Sequence, residues 1–151
     1  MCGIFAIFGS SLSEADLRRE LIKCSSKLRH RGPDWSGYIV VPKDEKSGIA
    51  HNHGIAHERL AIMDPESGEQ PLVSEDGNVI VAVNGEIYNY KDLYGELKTP
   101  YKPKTGSDCE VILPLYAEQG ATALFPKRLR GMFSFILYDK SKDLYFICRD
   151  H

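Results

Sequence analysis

An α+β fold is the class this sequence predicts, and two observations carry the prediction. Short runs of strand-forming residues cluster near both ends of the chain, and helical periodicity occupies the stretches between them. The size and composition agree: 151 residues suit one ordinary domain, and 42% hydrophobic with 26% charged residues is the balance of a globular chain rather than a disordered one. Sheets sandwiched by helices are the expected architecture.

The elements follow in order. Ile4 to Phe8 is short, apolar and rich in strand formers, with Gly9 as its expected end. Ser13 with Asp16 resembles a helix N-cap, and Leu17, Leu21, Cys24 and Leu28 recur at helical spacing. That helix should stop near Arg31, because Gly32-Pro33 cannot continue it. Strands are expected at Tyr38 to Val41, Ile49 to Ala56 and Val79 to Val83, the last leading into Asn84-Gly85, a pair suited to a tight turn. A second helix is expected from Tyr90 to Leu97. A third should begin at a capping box, Ser107 with Glu110, bury Val111, Ile112, Leu115 and Tyr116, and close at Gly120. Met132 to Tyr138 and Leu144 to Cys148 read as a hairpin across the polar turn Asp139 to Asp143. The chain ends at Arg149-Asp150-His151, directly after a strand, as an interrupted domain would.

Composition also excludes partners. A formal charge of -2 leaves no basic excess to neutralise phosphates, which argues against nucleic acid. No apolar run approaches the ~20 residues that span a bilayer, and the start MCGIFAIFGSS lacks the basic head of a signal peptide. A cytoplasmic or organellar location is the default. The four cysteines lie far apart without CxxC pairing, so a disulfide framework is not expected. Cys24, Cys109 and Cys148 read as small buried hydrophobes.

Cys2 differs by its position. Initiator methionine is commonly removed before a small residue, which would make Cys2 the first residue of the mature chain. A free α-amine has a pKa of ~7.7–8.0 against ~8.5 for a thiol, so that amine can serve as base for its own side chain. A small residue after the start codon is the plainer reading. RHRGPDWSG (Arg29 to Gly37) is a rigid polar loop, or simply a helix-ending turn whose cations face the helix C-terminus. Arg59, set in the apolar HERLAIM, has a fork suited to an α-carboxylate, or to a structural acid nearby. His51, His53 and His57 alternate along a strand but lack the cysteine or carboxylate spacing of a metal site. In VNGEIYN, the Asn84 amide beside the Gly85 N–H could form an oxyanion hole, or only a turn. Asp108, early in a helix, could hold an ammonium group or merely offset the helix dipole.

Taken together, CGIFAIFG, RHRGPDWSG, HERLAI, VNGEIYN, TGSDCE, GMF and CRDH closely resemble, in wording and order from residue 2 to residue 151, the glutaminase domain of glutamine-dependent asparagine synthetases. Amidotransferase domains of purine and hexosamine synthesis share the cysteine start but usually lack the RGPDWSG and HERLAI wording. The resemblance implies the four-layer αββα sandwich of N-terminal nucleophile hydrolases, here lacking its last strands. It implies Cys2 as nucleophile, Arg59 on the α-carboxylate of glutamine, Asn84 and Gly85 at the oxyanion, Glu86 and Asp108 at the α-ammonium, and Leu60, Ala61, Ile62 and Met63 along the pocket. Ammonia released here would pass to a synthetase domain that uses ATP and Mg²⁺ to convert aspartate to asparagine. That domain is absent from the 151 residues, which carry no SGG-type phosphate-binding loop, and no cofactor is expected in this chain itself. Family members are often homodimers. The alternative from another class is an inert truncated domain that persists by pairing with a partner.

Overall fold

The computed structural model describes residues 2–62, 64, 66–122 and 125–150. Strand β1 (Gly3–Ser10) turns Ile4, Ala6 and Phe8 to one face, as the two-residue period of a strand demands. It continues through Gly9 instead of stopping there: an irregularity between Ile7 and Ser10, with Gly9 at φ 65°, bends the strand without ending its pairing. Helix α1 (Glu14–Ser25) is capped as expected, with the Ser13 hydroxyl accepting the Asp16 N–H at 3.1 Å. Leu17 and Leu21 are fully buried. The helix ends at Ser25, and Leu28 belongs to a single 3-10 turn rather than to the helix.

Strands β2 (Trp35–Val41) and β3 (Asn52–Arg59) complete a three-stranded antiparallel sheet in the order β1-β3-β2. Every residue of central β3 is buried. The strand expected from Ile49 starts only at Asn52, since Ile49 closes a turn through an isolated bridge with Asp44. It then runs on to Arg59, which carries that arginine into the interior.

The second sheet has the order β4-β5-β6-β7, from β4 (Leu72–Val73), β5 (Val79–Ile87), β6 (Gly131–Asp139) and β7 (Leu144–Arg149). Helices α2 (Tyr90–Gly95) and α3 (Ile112–Gln119) cover its outer face, where Leu93, Ile112 and Leu115 meet Val81, Val83, Phe135 and Leu137. Ile55 from the first sheet meets Ile80, Ala82 and Tyr138 from the second, so the two sheets share one core layer. With α1 outside the first sheet, the layers run α, β, β, α.

Two further expectations fail for identifiable reasons. Asn84-Gly85 is no turn: β5 passes straight through, with Asn84 opposite Ser134 and Gly85 opposite Phe133. Pairing with β6 on both sides of the dipeptide overrides its local preference. Glycine is required there for another reason, because a Cβ would lie 1.9 Å from the Met132 carbonyl oxygen and φ is 142°. The capping box also fails. Ser107 makes no side-chain cap, and the Glu110 carboxylate instead accepts the Lys104 N–H (2.7 Å), the Thr105 N–H (2.8 Å) and the hydroxyls of Thr105 and Tyr101. Four donors from one loop outweigh one amide at a helix start. Gly120 does close α3, at φ 65°.

Candidate active site

The site grows from an unfinished sheet edge. Strand β4 is two residues long, and its pairs are Leu72 with Val81 and Val73 with Ile80. In an antiparallel strand alternate residues point their N–H and C=O to the same side, so Val83, Gly85 and Ile87 face the space that β4 leaves open. Side chains fill most of that edge. The Gln70 side-chain Oε1 accepts the Val83 N–H (2.7 Å), the His57 Nε2–H donates to the Val83 carbonyl (2.8 Å), the Cys109 thiol reaches the Gly85 carbonyl (3.6 Å), and Asp108 accepts the Ile87 N–H (2.5 Å). The Gly85 N–H lies on the same edge, and Gly85 lines the cleft beside it.

Cys2 leads directly into β1. Its sulphur lies 3.4 Å from the Leu60 N–H and 3.8 Å from the Leu60 carbonyl oxygen, and the Arg31 Nε–H donates to the Cys2 carbonyl (3.1 Å). Asp34 holds the other partner: its carboxylate accepts the Ala61 N–H (2.8 Å), and its N–H donates to the Arg59 carbonyl (3.0 Å). Arg29 reaches the Ser36 hydroxyl, the Pro33 carbonyl and, at 3.6 Å, buried Glu58. The RHRGPDWSG loop is thus the brace behind both Cys2 and the end of β3. Sequence reasoning missed that role for Arg31 and Asp34. The available signal was two charged residues flanking a rigid Gly-Pro pair.

Cys2, Arg59, Leu60, Ile62, Gly85, Glu86 and Asp108 line one cleft of about 110 Å³, below the roughly 300 Å³ where drug-sized sites begin. Gln70, Ser107, Cys109 and Met132 also line it, and none of these was singled out as a site residue from sequence. Ala61 does not line it, because its backbone is drawn to Asp34. Asn84 is adjacent in β5 but outside the lining, and among the described residues its Oδ1 is buried without a hydrogen-bond partner. Met63 lies outside the described residues.

Electrostatics separate the groups. Burial pushes the His57 pKa down to about 4, so the ring is neutral at pH 7 and donates through Nε2. Burial and the Asp108 carboxylate push the Cys109 thiol up, which keeps it protonated and unreactive. His53 and His57 share a strand face yet spend ring nitrogens on separate partners, Gly9 and Val83, and no cluster of three metal-ligating side chains occurs among the described residues.

A four-layer αββα sandwich with a cysteine at the head of its first strand is the architecture of the N-terminal nucleophile hydrolases. Glutamine phosphoribosylpyrophosphate amidotransferase from B. subtilis, solved with ADP and GMP, superposes with a TM-score of 0.61 over 91% of this chain and 35% of that one. At 21% identity the likeness is one of fold. The sequence pattern of the family described as "Glutamine amidotransferase domain" matches residues 1–151, and the chain belongs to that family. Among curated relatives it is 46% identical over 151 residues to asparagine synthetase B [glutamine-hydrolyzing] of Escherichia coli and 47% identical over 150 residues to a probable asparagine synthetase [glutamine-hydrolyzing] of Schizosaccharomyces pombe. It is 45% identical over 150 residues to asparagine synthetase [glutamine-hydrolyzing] 1 of Arabidopsis thaliana. These matches take in 100%, 99% and 99% of this chain but only 25%, 25% and 24% of the relatives. The chain spans about a quarter of their length.

Proposed function

We propose that this chain is the glutamine-hydrolysing domain of an asparagine synthetase. The observation that carries the reading is one cleft lined together by Cys2, Arg59, Glu86 and Asp108. After removal of Met1, the Cys2 α-amine takes the thiol proton and the sulphur attacks the side-chain amide carbon of L-glutamine. The tetrahedral oxygen gains its negative charge beside the Gly85 N–H, with the Asn84 amide as second donor. Collapse breaks the C–N bond, the amine returns its proton to the leaving nitrogen, and ammonia departs. Water then hydrolyses the γ-glutamyl thioester to glutamate and the free thiol. Arg59 takes the α-carboxylate, Glu86 and Asp108 the α-ammonium, and Leu60 and Ile62 the methylene chain.

In this reading the ammonia serves a synthetase domain outside the 151 residues, where ATP and Mg²⁺ drive the amidation of aspartate in the cytoplasm. The half-reaction of this chain calls for no cofactor of its own. No helix among the described residues is long and apolar enough to cross a membrane. Glutamate release from glutamine, on a sample whose mass shows Met1 removed, is the test. Cys2→Ala should abolish release while leaving the melting temperature unchanged. A folded, Met1-free chain that releases no glutamate would favour the inert alternative instead.

A further inference from the structure

The two charged ends of the cleft stand on different loops, and one residue ties them together. Asp64 adopts φ 49°, the left-handed region that costs strain for a residue with a Cβ and that aspartate and asparagine tolerate better than most. Its carbonyl oxygen accepts Arg59 Nη2 (2.6 Å) and the Gly68 N–H (3.0 Å). Its carboxylate accepts the Gly106 N–H (2.7 Å) and the Ser67 hydroxyl. Gly106 is two residues before Asp108, and a Cβ there would crowd the Asp64 side chain at 3.2 Å. A Cβ on Gly68 would lie 2.5 Å from Arg59 Nη2, so this packing leaves no slack around the guanidinium. The far side of the same loop is clamped by buried Glu110 through Lys104 and Thr105. Asp64 therefore joins Arg59 by hydrogen bonds to Gly106, and the backbone of Gly106 and Ser107 carries the link on to Asp108. The Asp64 carboxyl is held below the usual carboxylate range, chiefly by the Ser67 hydroxyl and then the Gly106 N–H, so the tie stays ionised at neutral pH.

We propose that Asp64 is a positioning residue for substrate: its backbone aims Arg59 and its carboxylate fixes the distance from Arg59 to Asp108, which sets affinity for an α-amino acid. The proposal rests on the functional reading above. Arg59 and Asp108 would grip the part of glutamine remote from the reacting amide, and such contacts act on ground state and transition state alike. Loosening them raises KM and leaves kcat largely unchanged, whereas a partly misfolded preparation lowers kcat and leaves KM alone.

Three variants separate the possibilities: Asp64→Asn keeps the acceptor and tolerates the left-handed backbone, Asp64→Gly keeps the backbone and removes the tie, and Asp64→Ala removes both. Glutamine binding is measured by calorimetry in a Cys2→Ala background, and KM and kcat with Cys2 intact. Asp64→Gly should weaken binding and raise KM about tenfold, the worth of one charge-assisted hydrogen bond. Asp64→Asn should stay within about twofold of the parent, and kcat should change by less than about twofold in both. Equal glutamine affinity in Asp64→Gly and its parent would overturn the positioning role alone. Failure of the Cys2→Ala parent to bind glutamine would instead strike at the functional reading and take this inference with it. Should Asp64→Ala not fold, the Asn and Gly pair decides the matter unaided.

Discussion

The layer between the two sheets ends differently at its two sides, although β1 and β3 run from one to the other. At one end His53 sits among Phe8, Tyr138 and Tyr145, with ring centroids 6.3, 4.8 and 5.4 Å away. Its Nδ1 accepts the Gly9 N–H (3.2 Å) and meets the Tyr145 hydroxyl, while Nε2 lies 3.4 Å from Asp143. The turn between β6 and β7 closes over it, and Tyr138 donates to the same Asp143 (2.8 Å). At the other end His57, on the same face of β3, bonds through Nε2 alone, and its Nδ1 is buried without a partner among the described residues. One end is a finished core. The other is a place where β4 stopped early, so backbone groups of β5 are met by side chains. The closed end is packed, and the open end lines the cleft.

The largest effect should come from finishing the open edge wrongly. Gly85→Ala would drive a Cβ against the Met132 carbonyl and shift the strand that carries the proposed oxyanion donor. A fall in kcat on the order of 10²–10³ is expected, measured as glutamate release with circular dichroism confirming the fold. Activity near wild type would show that β5 accommodates the added carbon without displacing the Gly85 N–H, and would overturn the expected loss.

Acid should come next, acting through the buried histidines. The folded-state pKa of His57, about 4, lies below the ~6.5 of an unfolded histidine. As pH falls from 6.5 towards 4, the unfolded chain takes up a proton that the folded chain refuses, so stability present above pH 6.5 is lost across that window. The loss is about 3 kcal/mol. Urea unfolding at pH 7 and pH 4.5 reads it, and His57→Gln, which does not titrate, should remove most of the difference. The His53 pKa is also lowered by burial, opposed by Asp143, and contributes in the same direction.

The smallest effect belongs to the closed end. Tyr145→Phe removes one hydroxyl from His53 and should cost about 1 kcal/mol in urea unfolding. The KM for glutamine should not move. A change in KM would mean that the two ends communicate along β1 and β3.

Much of the molecule was legible before its structure. Strand and helix order, the Ser13 cap, the Gly120 stop and the β6–β7 hairpin are local matters of periodicity and capping, which neighbouring residues settle among themselves. The order of motifs pointed to the family and to Cys2, Arg59 and Asp108 as residues worth watching. Other features were not legible because their causes lie far along the chain. Asn84-Gly85 reads as a turn until β6 pairs across it. Ser107 and Glu110 read as a capping box until the loop before them supplies four donors. Arg31 and Asp34 read as a helix end until Cys2 and Ala61, distant in sequence, arrive as their partners.

The sequence by itself determined the order of most strands and helices and which candidate residues were present, because those depend on spacing within a few residues. Only the tertiary structure decided that β4 would stop after two residues, that β5 would keep an open edge, and that Asp64 would link Arg59 to the Asp108 loop. Each of these is a contact between residues far apart along the chain, and no local preference encodes where such partners meet.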